Sequence, residues 1–216
     1  MFPHALQPLV DAIRRVRLRR AARRLARRGV GSPRFEFTTD YGQPFTESWR
    51  RHLNALAGEA GIRFLEIGSY EGRSALWFLE HVLTDPTSTI TCVDAFLEPE
   101  AEARFDHNVR ASGHAARVTK IKGKSEAVLG TLSPGFDTVY VDGCHEAFNV
   151  LMDAMASWVL LKPGGVLIFD DYAWDQHRPP MDRPQVAIDL FLDVLRADVE
   201  VLHKDYQVIV RKKGVR

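Results

Sequence analysis

The chain has 216 residues, 45% of them hydrophobic, which suffices for one sizeable core and leaves too little for two full domains. Its two cysteines, Cys92 and Cys144, form no CxxC pair, which excludes a disulfide-dense scaffold, so a reducing, cytoplasmic setting is expected. No run of about 18 apolar residues occurs and the N-terminus lacks the apolar core of a secretory signal, so neither a membrane span nor export is expected.

The net charge of +1 conceals an asymmetry. Residues 1–34 carry ten arginines against one acid, Asp11, a balance of +9 that leaves −8 for the remainder. Val10, Ile13, Val16, Leu18 and Leu25 recur among those arginines at roughly helical spacing. An arginine-rich helix, solvated on one side and packed on its own body or on a second subunit, is the expected form, and a homo-oligomer the expected assembly. The same stripe would suit peripheral contact with a membrane surface. Nucleic acid is a poor match for a body this acidic. Asp11 and the scarcity of serine argue against a transit peptide.

Beyond Gly29-Val30-Gly31-Ser32-Pro33 the composition changes. Phe35 to Phe45 reads as an aromatic loop, and Thr46-Glu47-Ser48-Trp49 as the capped start of a helix running toward Leu56. Residues 35–62 are therefore taken as a cap segment between the arm and a domain over 63–216. From Arg63 strands and helices alternate. Strands are expected at Phe64–Ile67, Thr89–Val93, Val118–Ile121, Thr138–Val141 and Val166–Phe169. Helices should follow over Ser74–Leu83, Glu100–Ala111, from Ser125, over Ala147–Leu160 and over Gln185–Arg196. Val199–Leu202 and Gln207–Val210 read as a closing antiparallel hairpin. This order predicts an α/β, Rossmann-like, doubly wound fold with a mostly parallel seven-stranded sheet.

In such sheets ligands lie at the carboxyl ends of the strands. The first of these ends, Phe64-Leu65-Glu66-Ile67-Gly68-Ser69-Tyr70-Glu71-Gly72-Arg73-Ser74, is an apolar run closing in an acid and two glycines four apart. Glu66 stands where a dinucleotide fingerprint has its first glycine, so the loop offers a carboxylate as well as the N–H groups of a helix N-terminus. That pairing suits S-adenosylmethionine (SAM), which carries an ammonium, a carboxylate and a sulfonium. Asp94, 22 residues past Gly72, is placed to accept hydrogen bonds from ribose hydroxyls. Ser125 is placed either to reach an adenine edge or to cap a helix.

The fourth and fifth strand ends read Val141-Asp142-Gly143-Cys144-His145 and Phe169-Asp170-Asp171-Tyr172. Three carboxylates converging there would repel one another unless a cation neutralised them, and hard oxygen donors suit magnesium or a similar divalent ion. The alternative is that Asp170 or Asp171 caps a turn and Asp142 contacts cofactor alone. His145, three residues past Asp142, is placed to act as general base. The loop Tyr172–Pro184, with Trp174, His177 and Arg178, reads as a lid over the acceptor, and Phe35–Trp49 as a cover from the other side; both could instead be core or subunit contacts.

Taken together, residues 35–213 resemble the class I SAM-dependent methyltransferases, with Glu66 to Gly72 as first motif, Asp94 as ribose acid, Asp142-Gly143-Cys144-His145-Glu146 after the fourth strand and Leu161-Lys162-Pro163-Gly164-Gly165 before the fifth. Within that class the chain resembles the small metal-dependent O-methyltransferases, both the catechol type and the macrolide-sugar and cephalosporin-tailoring type. The resemblance implies that Glu66, Gly68, Tyr70 and Ser74 surround the methionine part, Asp94 the ribose, and Ser125 the adenine, with Ser69, Gly72 and Asp142 also binding the cofactor. It implies Asp142, Asp170 and Asp171 as ligands of Mg2+ or a similar ion, His145 as catalytic base, and a hydroxylated small molecule as acceptor. The catechol enzymes have an asparagine at Asp171 and a lysine at His145, whereas the sugar-modifying branch has a histidine there, so the second branch fits better. Two other classes stay open: a nicotinamide-linked oxidoreductase, which should show glycine in place of Glu66, and a non-catalytic cofactor-binding module located by its arm.

Overall fold

The computed structural model describes residues 34–214. The arm expected over residues 1–34 lies outside them except for Arg34. Helix α1 (Thr46–Leu53) precedes the sheet domain. Then follow β1 (Arg63–Ile67), α2 (Arg73–His81), β2 (Thr89–Asp94), α3 (Pro99–Ser112), β3 (Val118–Lys122), α4 (Ser125–Val128), β4 (Phe136–Val141), α5 (Ala147–Leu160), β5 (Leu161–Phe169), α6 (Pro184–Val194), β6 (Val199–Lys204) and β7 (Val208–Lys212).

The seven strands form one sheet in the order β3-β2-β1-β4-β5-β7-β6. The first five are parallel, and β7 runs antiparallel to both β5 and β6. Chain order reverses beside β1, which places the crevice between the β1 and β4 ends, where such sheets bind ligands. Because helices cover both faces, the central strands are apolar on both sides: Phe64, Leu65 and Ile67 are all buried. One core layer joins Phe64, Phe78 and Phe105 with α1, α2 and α3; the other joins Leu65, Val150 and Phe191 with α5 and α6.

Several boundaries differ from the expected ones for local reasons. Thr46 is the first helical residue rather than a cap, and its hydroxyl donates to the Gln43 carbonyl at 3.1 Å. The helix from Ser125 is a single turn passing into a 3-10 turn, Leu129–Thr131. β5 begins five residues early, at Leu161, and its pairing with β4 shifts register between Phe136 and Thr138. The closing hairpin is longer than the periodicity suggested.

The 35–62 segment is fastened to the sheet by its aromatic residues. Phe37, Trp49 and Leu53 belong to the same core layer as α2. Trp49 lies against Trp77, Phe78 and Tyr140, and its indole N–H donates to Gln207 Oε1 at 2.9 Å. Burying an indole with its one donor satisfied fixes α1 against the far end of the chain.

Candidate active site

A cleft of about 970 Å³ opens above the carboxyl ends of β1, β2, β4 and β5. Gly68, Tyr70, Asp94 and Ser125 line one end, and Asp142, His145, Asp170 and Asp171 line the other. The two ends touch through main chain. Gly68 has φ +88°, and a Cβ there would lie 2.0 Å from the Asp142 carbonyl oxygen, so no side chain fits between the β1 and β4 loops.

At the first end the loop is held by backbone donors. Gly72, at φ +81°, starts α2, and its N–H donates to the Ser69 carbonyl at 2.7 Å. Asp94 accepts from the Tyr70 N–H at 2.8 Å and from the Phe96 N–H at 2.6 Å, so it shapes the pocket floor with lone pairs to spare for a ligand. Tyr70, Phe96, Asp171 and Asp175 are the non-glycine residues with positive φ among the described residues, and all four line the cleft. Such conformations cost on the order of 1–3 kcal/mol each and concentrate at ligand sites.

Glu66 is fully buried, and among the described residues neither carboxylate oxygen meets a hydrogen-bond partner. Burial pushes its carboxyl up to about 7; nearby Ser69, Ser74 and Cys92 favour the charged form without overcoming that, and the charge of Asp94 adds to the rise. The Ser69 hydroxyl is likewise buried without a partner. Glu66, Ser69, Gly72 and Ser74 thus stand behind the loop, while Gly68 and Tyr70 form its surface. A buried, unpartnered carboxylate beneath a glycine-tight loop fits a cationic ligand group, which agrees with the ammonium of SAM. Ser125 lines the cleft as the first residue of α4, with Lys124 in the cap position and no side-chain cap bond. Beneath it lies Asp153, buried on α5, whose carboxyl burial raises to about 6 against the opposing influence of Ser125.

Sequence reasoning missed the residues that strap the 35–45 segment over this end. Glu71, buried, accepts from the Thr38 N–H and hydroxyl, both at 2.7 Å, and pairs with Arg104 at 3.2 Å. Asp40 pairs with Arg73 at 2.5 Å, and the Arg73 guanidinium lies 4.8 Å from the Phe37 ring centre. Nothing local to Glu71 or Asp40 signals partners 33 residues away.

At the other end Tyr140, also unforeseen, holds the carboxylates. Its buried hydroxyl donates to Asp170 Oδ2 at 2.5 Å and lies 3.1 Å from Asp142 Oδ2. The Asp171 N–H donates to Asp170 Oδ1 at 2.8 Å. Asp171 accepts from the Tyr206 hydroxyl at 2.7 Å and lies 2.7 Å from His145 Nε2. Burial first, then the charges of Asp170 and Asp171, hold the Asp142 carboxyl well above the carboxylate range. Burial and Asp171 push Asp170 up to about 7. For His145, burial alone would lower the pKa, but the hydrogen bond to Asp171 and the charges of Asp171 and Asp170 raise it. The imidazole also stacks on Trp174 at 4.4 Å, with Arg178 over the indole at 5.1 Å.

Among the described residues no Lys or Arg is ion-paired with Asp142, Asp170 or Asp171. Their oxygen donor set fits a hard divalent cation. No group of three or more His, Cys, Asp or Glu among the described residues is already arranged around a common point, and Tyr140, Tyr206 and His145 each hydrogen-bond one of these carboxylates. The two walls beside Asp171 are aromatic: His145 on Trp174, and Tyr206 stacked on Phe45 at 5.2 Å.

A family model described as a methyltransferase domain matches residues 65–172, from β1 to just past β5. The O-methyltransferase hkm8 of Aspergillus hancockii is 32% identical over 111 residues, 50% of this chain and 42% of that protein, so the match spans less than half of that relative's length. Among solved structures, the O-methyltransferase TomG of Streptomyces achromogenes, in complex with SAM, superposes with a TM-score of 0.62 at 20% identity, covering 91% of this chain and 89% of that one. MycE methyltransferase from the mycinamycin biosynthetic pathway, in complex with Mg and S-adenosylhomocysteine (SAH), superposes with a TM-score of 0.59 at 19% identity, covering 92% and 56%. At those identities the likeness is one of fold. The chain belongs to the methyltransferase-domain family, with the mostly parallel sheet and strand-end cleft of a class I SAM-dependent methyltransferase.

Proposed function

We propose that the chain transfers the methyl group of SAM to a hydroxyl of a small molecule bearing two adjacent oxygens, such as a vicinal diol, a sugar or a catechol-like ring, with Asp142, Asp170 and Asp171 holding Mg2+ or a similar ion. One observation carries this reading: a glycine-tight loop over an acid unpartnered among the described residues meets, in a single cleft, three carboxylates that no Lys or Arg of the described residues neutralises. The names of hkm8, TomG and MycE support the reaction class, and the magnesium in MycE supports the ion. When bound, SAM supplies an activated methyl and the cation a lowered hydroxyl pKa.

The chain's own residues supply position and charge. Glu66 balances the ammonium from beneath, Gly68, Ser69, Tyr70, Gly72 and Ser74 shape the methionine pocket, Asp94 accepts from the ribose, and Ser125 faces the adenine. Asp171 holds His145 at Nε2, which leaves Nδ1 to accept the acceptor's proton. Trp174 fixes the ring plane, and Phe45 with Tyr206 walls the opposite side. Positioning the oxygen in line with the methyl is the main catalytic contribution expected of such a site. Residues 63–216 carry this chemistry, residues 35–62 cap it, and the arm over 1–34 sets location within the cytoplasm, on a membrane surface or on a partner. Among the described residues no helix is long and apolar enough to cross a membrane.

Calorimetric titration of SAH into the full chain, once with Mg2+ and once after chelation, tests the reading without knowledge of the acceptor. Binding with a metal-dependent heat supports it and directs a screen of vicinal diols and catechols. Absence of binding under both conditions defeats it.

A further inference from the structure

The pairing of β5 with β7 brings a buried amide to the edge of the carboxylate cluster. In this antiparallel pair Ile168 lies opposite Ile209 and Phe169 opposite Val208, so the next residues along each strand, Asp170 and Gln207, face one another. Side chains directly opposite in such a pair share a face, with Cβ atoms about 4.5–5.5 Å apart. Here that face belongs to the core layer holding Ile168, Ile209, Tyr140 and Trp49. Gln207 is 1% exposed, and among the described residues its Nε2 has no hydrogen-bond partner within the usual distance. A buried amide with two idle donors is costly, so an acceptor must be sought for it.

We infer that Gln207 is a positioning residue for the candidate cation site: its Nε2 donates to Asp170 and so transmits the placement of helix α1 to a carboxylate of the cleft. Trp49 dictates which way the amide faces. The indole N–H can only donate, and it sits 2.9 Å from Gln207 Oε1. Turning the amide over would set donor against donor at Trp49 and a carbonyl oxygen against the carboxylate opposite. With Oε1 committed to the indole, Nε2 is left on the Asp170 side. Tyr140 closes the triangle. Its ring lies 5.6 Å from that of Trp49, and its hydroxyl donates to Asp170 Oδ2 at 2.5 Å, while the Asp171 N–H donates to Oδ1 at 2.8 Å. A carboxylate offers about four acceptor positions, so a third donor is accommodated. In keeping with that contact, Gln207 is among the groups that favour the charged form of Asp170 against its burial. Such outer partners orient a ligating carboxylate, and losing one typically weakens metal binding by about 10–100-fold. The contact stands on the strand register and the indole bond; its meaning for a cation rests on the proposed function.

A double-mutant cycle in the metal-free full chain tests the contact. Gln207→Glu keeps an acceptor for Trp49 but replaces the NH2 with an oxygen facing Asp170. It should lower the urea midpoint in the wild-type background and lower it by less than about half as much beside Asp170→Asn. Equal losses in the two backgrounds overturn the inference. Gln207→Met, which keeps the length and removes the donors, tests the positioning: Mg2+ titrated into the SAH-bound protein should bind about 10-fold more weakly, with SAH affinity unchanged. Unchanged Mg2+ affinity overturns the inference, and so does a parallel loss of SAH affinity, the mark of a merely structural role. Should Gln207→Glu not fold, Gln207→Met decides, and should that not fold either, Gln207→Met with Trp49→Phe leaves no indole donor unpaired and is read in the same way. A wild type that binds SAH but not Mg2+ defeats the cation reading and the positioning role with it. A wild type that binds both, with additive variants, defeats the positioning role alone.

Discussion

The two ends of the cleft are built by different means. At the β1–β2 end main chain does most of the shaping: glycines 68 and 72 permit the turn, both Asp94 oxygens accept from backbone N–H groups, and one Glu71 oxygen accepts from the Thr38 N–H. At the β4–β5 end side chains do it, with two tyrosine hydroxyls and an imidazole shared among three carboxylates. A main-chain site is rigid and tolerates few changes of residue size. A side-chain site can exchange its proton partners for a cation, and its chemistry depends on which is present.

The difference can be tested from either end. The largest effect is expected from His145→Ala, which should lower turnover by roughly 10²–10⁴-fold with SAH affinity within a few-fold of wild type; a comparable loss of SAH affinity would mean that the two ends are not separable. Next, Asp170→Asn should weaken Mg2+ binding by roughly 10–100-fold, read by titration of the SAH-bound protein, since the metal shell loses a charge while the Gly68 loop is untouched. Activity in chelator equal to that in Mg2+ would remove the cation from the scheme.

A smaller effect concerns Glu66 and pH. Its carboxyl lies at about 7 in the folded chain against an ordinary 4.5, so between those values the native state keeps a proton that the unfolded chain has lost. Stability of the cofactor-free protein should therefore fall as pH rises from about 4.5 to 7 and level off above, by at most about 3 kcal/mol from this group. Glu66→Gln should flatten that segment of a urea-unfolding pH series. In the wild type, SAH affinity should rise through the same window as the carboxylate becomes available to the ammonium, and a pH-independent affinity would count against that pairing. The smallest effect is expected from Arg73→Ala, which removes an ion pair and a ring contact at the strap and should cost about 1 kcal/mol in unfolding with turnover little changed.

The same division governs what could be read from sequence. Alternating apolar runs and glycine spacing are local signals, so the succession of elements along the chain, the Glu66–Gly72 turn and the polar strand ends at Asp142 and Asp170–Asp171 were all visible in them. Boundaries were less so: the Leu161–Gly165 stretch, expected only to precede the fifth strand, lies within β5, where Leu161 pairs with Phe136 of β4. The residues that hold the site were invisible for a physical reason. Tyr140 looks like one more core aromatic of β4, Tyr206 like a hairpin tip and Glu71 like a solvent-facing loop acid. Each acquires its role from a partner 30 or more residues away, for which no periodicity exists.

The bond between Trp49 and Gln207 joins residues 158 apart in the chain. During synthesis the helix that carries Trp49 emerges well before the hairpin residue, Gln207, that satisfies its indole. Until β7 threads between β5 and β6, the β5 edge is unpaired, the Tyr206 hydroxyl is missing from Asp171, and Phe45 lacks the Tyr206 ring on which it stacks. A ribosome-bound chain can therefore form the β1 loop well before it can form a working cleft, and the interval between them is a period of exposed strand edge in which chaperone binding or misassembly competes with completion.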